Sequence, residues 1–282
     1  MERREFFENV AVGTNIAMGY SPEDALAMLA GFGVEYVELS SIAGMCEHID
    51  PSLIDEDYCK YAAALLKNNG LKCCAVSGHV DLTVDKQLED FLKKIELTGR
   101  IGAKYINTNS GPLDRLDIFN ENMKAVIEQA EKWNVIVNLE SHGDIVSTAE
   151  DSVQYIKHFD HPLVRMNYDT GNTYFHSRGK CDVVRDIDFS SDVISYMHIK
   201  DVKITGNDVQ YTPIGDGDLD FVAILAKVQK MGKKLPACLE IPVFVGGTLD
   251  GIGPRDVPMS PEMIKTAIDR SYAALDKALQ SL

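Results

Sequence analysis

The chain has 282 residues, 45% of them hydrophobic, and a formal net charge of −15. A surface with this charge repels phosphate backbones and anionic lipids, so we expect neither a nucleic-acid partner nor a membrane partner. The charged N-terminus is not followed by the apolar segment of a signal peptide, and six cysteines are scattered without a Cys-x-x-Cys pair. We therefore expect a cytoplasmic protein with reduced cysteines that serve packing.

Short β-branched or apolar segments alternate with longer amphipathic ones along the chain. Eight of the short segments predict strands, at residues 10–16, 34–39, 71–76, 104–108, 135–139, 163–168, 195–199 and 237–241. Capping residues and helical spacing predict helices between or after them, including 21–33, 85–103, 147–159 and 260–282. No Pro/Gly/Ser linker divides the sequence, so we expect a single domain over residues 1–282.

This alternation of strand and helix implies parallel pairing. Eight such units in about 250 residues predict an α/β fold of the (β/α)8 TIM barrel type. The alternative is an open doubly wound sheet, which usually carries G-x-G-x-x-G after its first strand. The corresponding segment here, GTNIAMG, lacks that pattern, so the barrel is favoured.

Four consecutive predicted strands end in chemically reactive side chains. The fifth ends in Glu140, the sixth in Asp169, the seventh carries His198, and the eighth delivers Glu240. These residues are 29, 29 and 42 positions apart, about one strand-helix unit each time. Because the carboxyl ends of barrel strands meet at one face, we expect the four side chains to converge there.

Three carboxylates at one point need a counter-charge, because a buried carboxylate without a partner is costly. A divalent cation supplies it directly, and three carboxylates with one imidazole form an oxygen-rich ligand set. The quartet therefore predicts a site for one divalent metal ion. We expect Mn²⁺, with Mg²⁺, Co²⁺ and Zn²⁺ as alternatives.

The order and spacing of several short motifs resemble the xylose-isomerase-like superfamily of TIM barrels. The motifs are GVEYVEL, GLKCCAVSGHVDL, GAKYINTNSGP, VNLESHGD, YDTGN, MHIKD, PIGDGDLDF and CLEI. This superfamily includes sugar isomerases and epimerases, inosose dehydratases, hydroxypyruvate isomerases, ketose 3-epimerases and endonuclease-IV-type enzymes. The resemblance covers nearly the whole chain, and it is specific for the superfamily rather than for one activity.

The resemblance implies that Glu140, Asp169, His198 and Glu240 hold one metal and that both glutamates serve as acid and base. Asp169 is then a ligand rather than the cap of the following helix, and Thr170 or Asn172 takes the capping role. Deprotonation next to a carbonyl by such a site leads to epimerisation, isomerisation or dehydration, depending on where the proton returns or which group leaves.

Other polar residues near the predicted mouth have both a functional and a structural interpretation. His142, His79, Lys200, His176 and Glu38 are candidates for substrate binding. Each also has a structural alternative, such as a hydrogen bond to a loop carbonyl for His142 or an ion pair of Lys200 with Asp201.

Two further expectations concern side chains outside this group. His48, His158 and His161 are expected at the surface or at helix caps. Met18, Ile42 and Met45 follow early strands, and we expect them to form an apolar wall beside the substrate.

Departures from the patterns of relatives narrow the choice. Ketose 3-epimerases usually carry a histidine three residues beyond the metal aspartate and an arginine six beyond the metal histidine, whereas this chain has Asn172 and Ile204. Endonuclease-IV-type enzymes need further histidines, which NDVQYTPIG lacks. A nuclease and a non-catalytic sugar-binding subunit are therefore remote alternatives.

The sequence thus predicts a metal-dependent isomerase or epimerase for a small, polyhydroxylated, sugar-like carbonyl compound. A lyase or dehydratase acting on a keto-sugar or keto-inositol is the main alternative, because MHIKD followed by PIGDGDLDF is similar to that branch. The substrate, its phosphorylation and the oligomeric state, including a homo-oligomer, are left open.

Overall fold

The protein, described over residues 1–282 by a computed structural model, is built around a ring of eight parallel strands. Each predicted strand is confirmed, with ends that shift by a few residues. The ring strands are β1 (Val10–Gly13), β2 (Tyr36–Ile42), β4 (Lys72–Ser77), β5 (Tyr105–Thr108), β6 (Ile136–Glu140), β7 (Val164–Asp169), β8 (Ile194–Ile199) and β11 (Ala237–Leu239). The remaining strands are β3 (Cys46–Glu47), β9 (Asp201–Thr205), β10 (Asp208–Thr212), β12 (Val245–Thr248) and β13 (Gly251–Pro254).

The ring is closed, because β1 pairs with both β2 and β11 in parallel register. Between them the order follows the chain from β2 through β4, β5, β6, β7 and β8 to β11. This topology confirms the predicted TIM barrel and excludes the open sheet.

Helices surround the ring and connect its strands. They are α1 (Arg3–Phe6), α2 (Pro22–Gly31), α3 (Glu56–Asn68), α4 (Asp85–Arg100), α5 (Leu116–Trp133), α6 (Ala149–His158), α7 (Thr170–His176), α8 (Val183–Asp186), α9 (Phe221–Lys230) and α10 (Pro261–Gln280). Local sequence explains several starts: Ser21, Thr148 and Ser260 each accept a hydrogen bond from the backbone N–H three residues on. None of the helices combines the length and apolarity needed to cross a bilayer.

Alternation along the strands decides what fills the ring. Residues two apart face the same side, so Tyr196 lies in the layer below His198 and Cys238 in the layer below Glu240. A small apolar cluster that includes Ala11, Cys74, Tyr196 and Cys238 fills this lower layer. The charged side chains therefore occupy only the end at which the strands terminate.

Two segments extend the wall of the barrel beyond the strand ends. β2 continues into a hairpin with β3, in which Ile42 pairs with Cys46. Strands β9, β10, β12 and β13 form a separate antiparallel sheet, here called the mouth sheet. Both segments border the same cavity as the strand-end carboxylates.

Candidate metal centre and active site

The four predicted metal ligands converge at the C-terminal end of the barrel. One potential ligand atom from each of Glu140, Asp169, His198 and Glu240 lies within 4.8 Å of those of the other three. All four residues are buried, and Asp169 pairs directly with His198 in the register of β7 and β8. The predicted convergence of the four side chains is therefore confirmed.

The imidazole of His198 is oriented by Glu38, which is itself held by Asn107. Its Nε2 lies 2.9 Å from Oε1 of Glu38, and Nδ2 of Asn107 donates to Oε2 of Glu38 at 3.1 Å. A histidine that donates a hydrogen bond from Nε2 to a carboxylate presents the lone pair of Nδ1 to a metal, an arrangement frequent in metalloproteins. Glu38 is thus fully engaged and does not line the cavity, so a role in orienting His198 replaces the expected contact with substrate.

The surroundings of Nδ1, the other nitrogen of His198, indicate whether the cluster can hold a cation. Its Nδ1 lies 3.1 Å from Oε2 of Glu140, 3.2 Å from Oε2 of Glu240 and 3.6 Å from Oδ2 of Asp169. Yet Nδ1 has no hydrogen-bond partner of acceptable geometry. A buried imidazole nitrogen surrounded by three carboxylate oxygens matches the donor set of a divalent cation.

The charge balance supports the same fit. Four buried carboxylates, those of Glu38, Glu140, Asp169 and Glu240, face one buried ammonium, that of Lys200. With a neutral imidazole the cluster carries three surplus negative charges, and a divalent ion would neutralise two of them. The residues present therefore fit the predicted metal, and their chemistry accepts Mg²⁺, Mn²⁺ or Co²⁺ as well as Zn²⁺.

Neighbouring groups also shift the titration of the cluster in the metal-free protein. Burial raises the pKa of Glu140, but its interactions with the imidazoles of His79 and His198 outweigh burial and hold this pKa well below its usual range. Burial raises the pKa of Asp169, and Lys200 only partly offsets the rise. Lys200 itself keeps its proton, because the attraction of Asp169 and Glu240 outweighs burial and moves its pKa well above the usual value.

Asp169 is both a cluster member and a helix cap. Its Oδ1 accepts a hydrogen bond from the backbone N–H of Asn172 at 2.8 Å and caps α7, whereas its Oδ2 faces His198. The expectation that Thr170 or Asn172 would cap the helix is wrong. A carboxylate has two oxygens, so capping by one of them leaves the other for the cluster.

Lys200 is held in place by the segment that follows Asp169. Oγ1 of Thr170 donates to the backbone O of Lys200 at 2.7 Å and accepts from its N–H at 3.0 Å. A Cβ on Gly171 would lie 2.8 Å from Cγ of Lys200, so glycine provides the space. The Nζ then reaches Oε2 of Glu240 at 2.8 Å and Oδ2 of Asp169 at 3.3 Å.

Asp201, the alternative partner of Lys200, has a different function. Its carboxylate accepts backbone N–H groups of Val202, Gly215, Gly217 and Leu219. It therefore organises the loop that contains PIGDGDLDF. These hydrogen bonds join MHIKD to PIGDGDLDF, the two motifs that resemble the dehydratase branch.

Three histidines form a row beside the cluster, and all of them line the cavity. The rings of His79 and His142 lie 5.7 Å apart, and those of His142 and His176 lie 5.0 Å apart. Nε2 of His79 is 3.1 Å from Oε2 of Glu140. Burial lowers the pKa of His142 to about 3 and that of His176 to about 4, so both rings are neutral at physiological pH.

The cavity above the cluster has a volume of about 380 Å³, which suits a small ligand. Polar and glycine residues in its lining are Gly44, His79, Asn109, Glu140, His142, Asn172, His176, Lys200, Tyr211, Glu240 and Gly253. The others are Ile42, Met45, Phe175, Pro242, Val245, Ile252 and Pro254. Of the three residues expected in an apolar wall, Ile42 and Met45 line the cavity and Met18 does not.

Three asparagines that were not predicted as site residues donate to the carboxylates, and a fourth holds one of these three. Asn15 donates to Oε1 of Glu240 at 2.9 Å, and Asn167 donates to Oε2 of Glu140 at 2.7 Å. Asn107 donates to Glu38 and accepts from Asn138 at 3.0 Å. Asparagine is depleted in strands, so its recurrence in YINT, IVNLE and VRMNYD was an available signal.

His48 is a further correction. It is buried rather than at the surface, and its Nδ1 lies 2.9 Å from Oγ1 of Thr14. Burial lowers its pKa. The hairpin of β2 and β3 covers this histidine, a tertiary contact that its local sequence does not reveal.

Comparison with known proteins agrees with the geometry. The model of the xylose isomerase-like TIM barrel family matches residues 13–267. A comparison with curated proteins found no significant match.

Solved structures with the same fold span nearly the whole chain. A xylose isomerase-like TIM barrel protein from Mycobacterium smegmatis in complex with magnesium has a TM-score of 0.75 at 15% identity and covers 99% of both chains. An L-ribulose 3-epimerase has a TM-score of 0.70 at 19% identity and covers 96% of both.

A probable 3-DHS dehydratase from Bacillus anthracis has a TM-score of 0.67 at 16% identity, and the match covers 93% of this chain and 97% of that one. At these identities the structures demonstrate a shared fold, whereas the family model matches the sequence itself over most of its length. The chain belongs to the xylose isomerase-like TIM barrel family.

Proposed function

We propose that this protein is a divalent-metal-dependent enzyme that isomerises or epimerises a small polyhydroxylated carbonyl compound. The observation that carries the proposal is the convergence of two carboxylates on one imidazole nitrogen at the edge of a cavity. Oε2 of Glu140 and Oε2 of Glu240 lie 3.1 and 3.2 Å from Nδ1 of His198, and both glutamates line the cavity.

The structural neighbours support this assignment. They include an L-ribulose 3-epimerase and a D-psicose 3-epimerase with D-tagatose, and another neighbour is a complex with magnesium. A sugar-like substrate is therefore the first class to test.

The metal would be held by Glu140, Asp169, His198 and Glu240. When bound, it would polarise the carbonyl of the substrate and stabilise the negative charge that develops on the carbonyl oxygen. The protein residues have to supply the remaining parts of the reaction, namely orientation and proton transfer.

Glu140 and Glu240 are placed to move the proton. They end β6 and follow β11, with β7 and β8 between them, so they approach the cavity from different sides. Asn172 donates to Oε1 of Glu140 at 3.0 Å and Asn15 to Oε1 of Glu240 at 2.9 Å, which fixes both carboxylates. Oε1 of each glutamate accepts this one hydrogen bond and keeps a second acceptor position, so either glutamate can still take a proton from carbon.

The destination of the proton defines the reaction. Glu140 or Glu240 removes the hydrogen next to the carbonyl, and the other glutamate, after taking up a proton from water, delivers it to the carbon from its own side. Return to the opposite face of the same carbon gives the epimer, whereas delivery to the neighbouring carbon gives the isomer. Positioned acid-base groups of this kind typically contribute roughly 10²- to 10⁴-fold.

The remaining polar residues bind and orient. Lys200 would donate to a substrate oxygen on which charge develops, and His142 and His176 would exchange hydrogen bonds with substrate hydroxyls. His79 would hold Glu140, because its Nδ1 is anchored at 2.8 Å from Oγ of Ser77 and its Nε2 faces the carboxylate.

Dehydration is the second candidate, and it is favoured by one geometric observation. Elimination needs a donor for the departing hydroxyl, and Lys200 presents a protonated donor 2.8 Å from the candidate base Glu240. The dehydratase among the structural neighbours supports the same possibility.

One experiment separates these candidates. The metal-loaded protein is incubated with a panel of keto-sugars in D₂O, and products are analysed by mass spectrometry and NMR. We expect deuterium at the carbon next to the carbonyl in a product of unchanged heavy-atom composition. Loss of water would indicate the dehydratase, and no exchange with any member would refute the proposed chemistry.

The roles of the two glutamates have their own test. In Glu140→Gln and Glu240→Gln, turnover should fall roughly 10²-fold or more, because an amide cannot accept the proton. The variant that lacks the first base should also lose solvent exchange of the substrate C–H. The exposed Glu121→Gln is the matched control. Near-normal turnover in both metal-loaded site variants would contradict the two-base mechanism.

A further inference from the structure

The cavity has two chemically different ends. Its polar end is built at the strand ends by groups such as Glu140, Lys200 and Glu240. Most of its apolar side chains come from the two segments that extend beyond the strands, residues 42–45 and 242–254. A substrate with its carbonyl at the metal cluster therefore has its far end against the β2–β3 hairpin and the mouth sheet.

The cavity lining also contains few positively charged side chains. No arginine lines the cavity, and its single lysine, Lys200, is already paired with Asp169 and Glu240. At the start of α7, Asp169 already accepts the backbone N–H of Asn172. Away from the metal cluster, a phosphate or carboxylate on the substrate would find no unpaired lysine or arginine in the lining.

We propose that the site takes an uncharged carbonyl substrate whose end remote from the carbonyl is apolar, as in a terminally deoxygenated sugar. The apolar end contacts Ile42 and Met45 from the hairpin and Ile252 from the mouth sheet. The orientation of the substrate rests on the proposed function, whereas the exclusion of anionic groups rests on the lining alone.

The size of the expected preference follows from desolvation. A terminal hydroxyl placed against Ile42, Met45 and Ile252 would lose its water without gaining a partner, whereas a methyl group gains contact. Apolar pockets discriminate against an added hydroxyl by up to about 10²-fold. We therefore expect a roughly 10- to 100-fold higher kcat/KM for a 6-deoxyketohexose than for its parent.

The test uses the metal-loaded full chain and three members of each ketohexose series: the parent sugar, its 6-deoxy form and its 6-phosphate. Deuterium exchange in D₂O should be fastest with a 6-deoxy sugar and undetectable with the phosphates. Equal or faster exchange of a 6-phosphate, or no preference between deoxy and parent sugar, would overturn the inference.

A pair of variants tests whether the apolar side chains at the far end of the cavity cause the preference for a 6-deoxy sugar. Ile252→Gln should reduce the deoxy preference by at least 10-fold, because its amide can pair with a terminal hydroxyl. Thr205→Gln introduces the same side chain at an exposed position of the mouth sheet that does not line the cavity. Its preference should equal that of the unmodified protein, and a retained preference in Ile252→Gln would count against the wall.

Failure of the proposed reaction is distinguishable from failure of this inference. If no sugar exchanges deuterium, calorimetric titration of the same panel decides. Tighter binding of the 6-deoxy sugars than of the 6-phosphates would preserve the substrate class while refuting the chemistry. Tighter binding of the phosphates, or no binding by any member, would overturn both.

Discussion

Two lysines are buried in this protein, one among carboxylates and the other among neutral carbonyl groups. Lys200 has two carboxylate partners, Glu240 and Asp169, at 2.8 and 3.3 Å. Lys94 on α4 is only 1% exposed, yet its Nζ contacts two backbone carbonyls, those of Ser41 at 2.7 Å and Gly78 at 3.3 Å. Burial lowers the pKa of Lys94 to about 8, whereas carboxylates raise that of Lys200.

The surroundings of Lys200 are those of a cation-binding site, whereas those of Lys94 are those of a structural hydrogen-bond contact. Around Lys200 the protein keeps more negative charge than one ammonium can balance, and a second cation is expected there. Around Lys94 no carboxylate is within contact, so the ammonium only ties the ends of two neighbouring barrel segments together. Burial of a charged group alone therefore does not mark the site, and the surplus of opposite charge does.

We expect the largest effect when one carboxylate of the cluster is replaced by a neutral amide. Asp169→Asn retains the cap of α7, because asparagine caps helices as well as aspartate does. We expect metal affinity to fall by more than the roughly 10- to 100-fold typical of losing an outer partner, with activity falling accordingly. Metal analysis and titration with Mn²⁺ measure this.

Asp220→Asn is the matched control for that substitution. Asp220 caps α9 through the same contact but is exposed and does not line the cavity. Unchanged metal content in Asp169→Asn would show that Asp169 is a cap only.

Lys200→Met removes the only ammonium that partly balances the buried carboxylates of the cluster. In the metal-free protein the free energy of unfolding should drop by roughly 3–5 kcal/mol, as for other buried charges that lose a partner. Added Mn²⁺ should restore part of the loss, because it would replace the missing charge. Urea unfolding with and without metal tests both, and the exposed Lys203→Met provides the reference. Equal losses with and without metal would argue against a shared cation site.

Lys94→Met should change the pH dependence of stability. Below pH 8 the lysine is protonated in folded and unfolded chains alike, and its desolvation cost is constant. Between pH 8 and about 10.5 the folded state has released the proton that the unfolded state still binds, so stability rises with pH. From pH 7.5 to 10, the unmodified protein should gain roughly 2–3 kcal/mol relative to the variant. Parallel pH profiles in urea would show that Lys94 is not desolvated.

Glu38→Gln should have the smallest effect. The amide can occupy the same space but cannot hold the Nε2 proton of His198 as a carboxylate does, so metal affinity should decrease roughly 10- to 100-fold. The exposed Glu35→Gln, three residues earlier on the same segment, should bind metal normally. Normal affinity in Glu38→Gln would assign the Glu38–His198 contact to stability alone.

The sequence was sufficient to predict the barrel and the convergence of three carboxylates and one imidazole at its mouth. Both follow from local, repeated signals: the alternation of apolar segments with amphipathic ones, and reactive residues at successive strand ends. Because a closed parallel barrel brings all strand ends to one face, Glu140, Asp169, His198 and Glu240 could be placed together without knowing any long-range contact.

Other features depend on tertiary contacts that leave weak local signals. β12 and β13, with sequences VGGT and GIGP, are rich in residues that disfavour strands, so the mouth sheet was missed. Lys94 occupies a position on an amphipathic helix where an exposed lysine would be ordinary. Its burial depends on the carbonyls of Ser41 and Gly78, which are distant in sequence.

The close packing of Gly171 against Lys200 links two positions that are 29 residues apart. Since a Cβ at residue 171 would lie 2.8 Å from Cγ of the lysine, the two side chains share one fixed volume. An enlargement at 171 is then tolerated only with a shorter residue at 200. Among homologous sequences the two positions should vary together, so that a chain with alanine or serine at 171 has also given up its lysine.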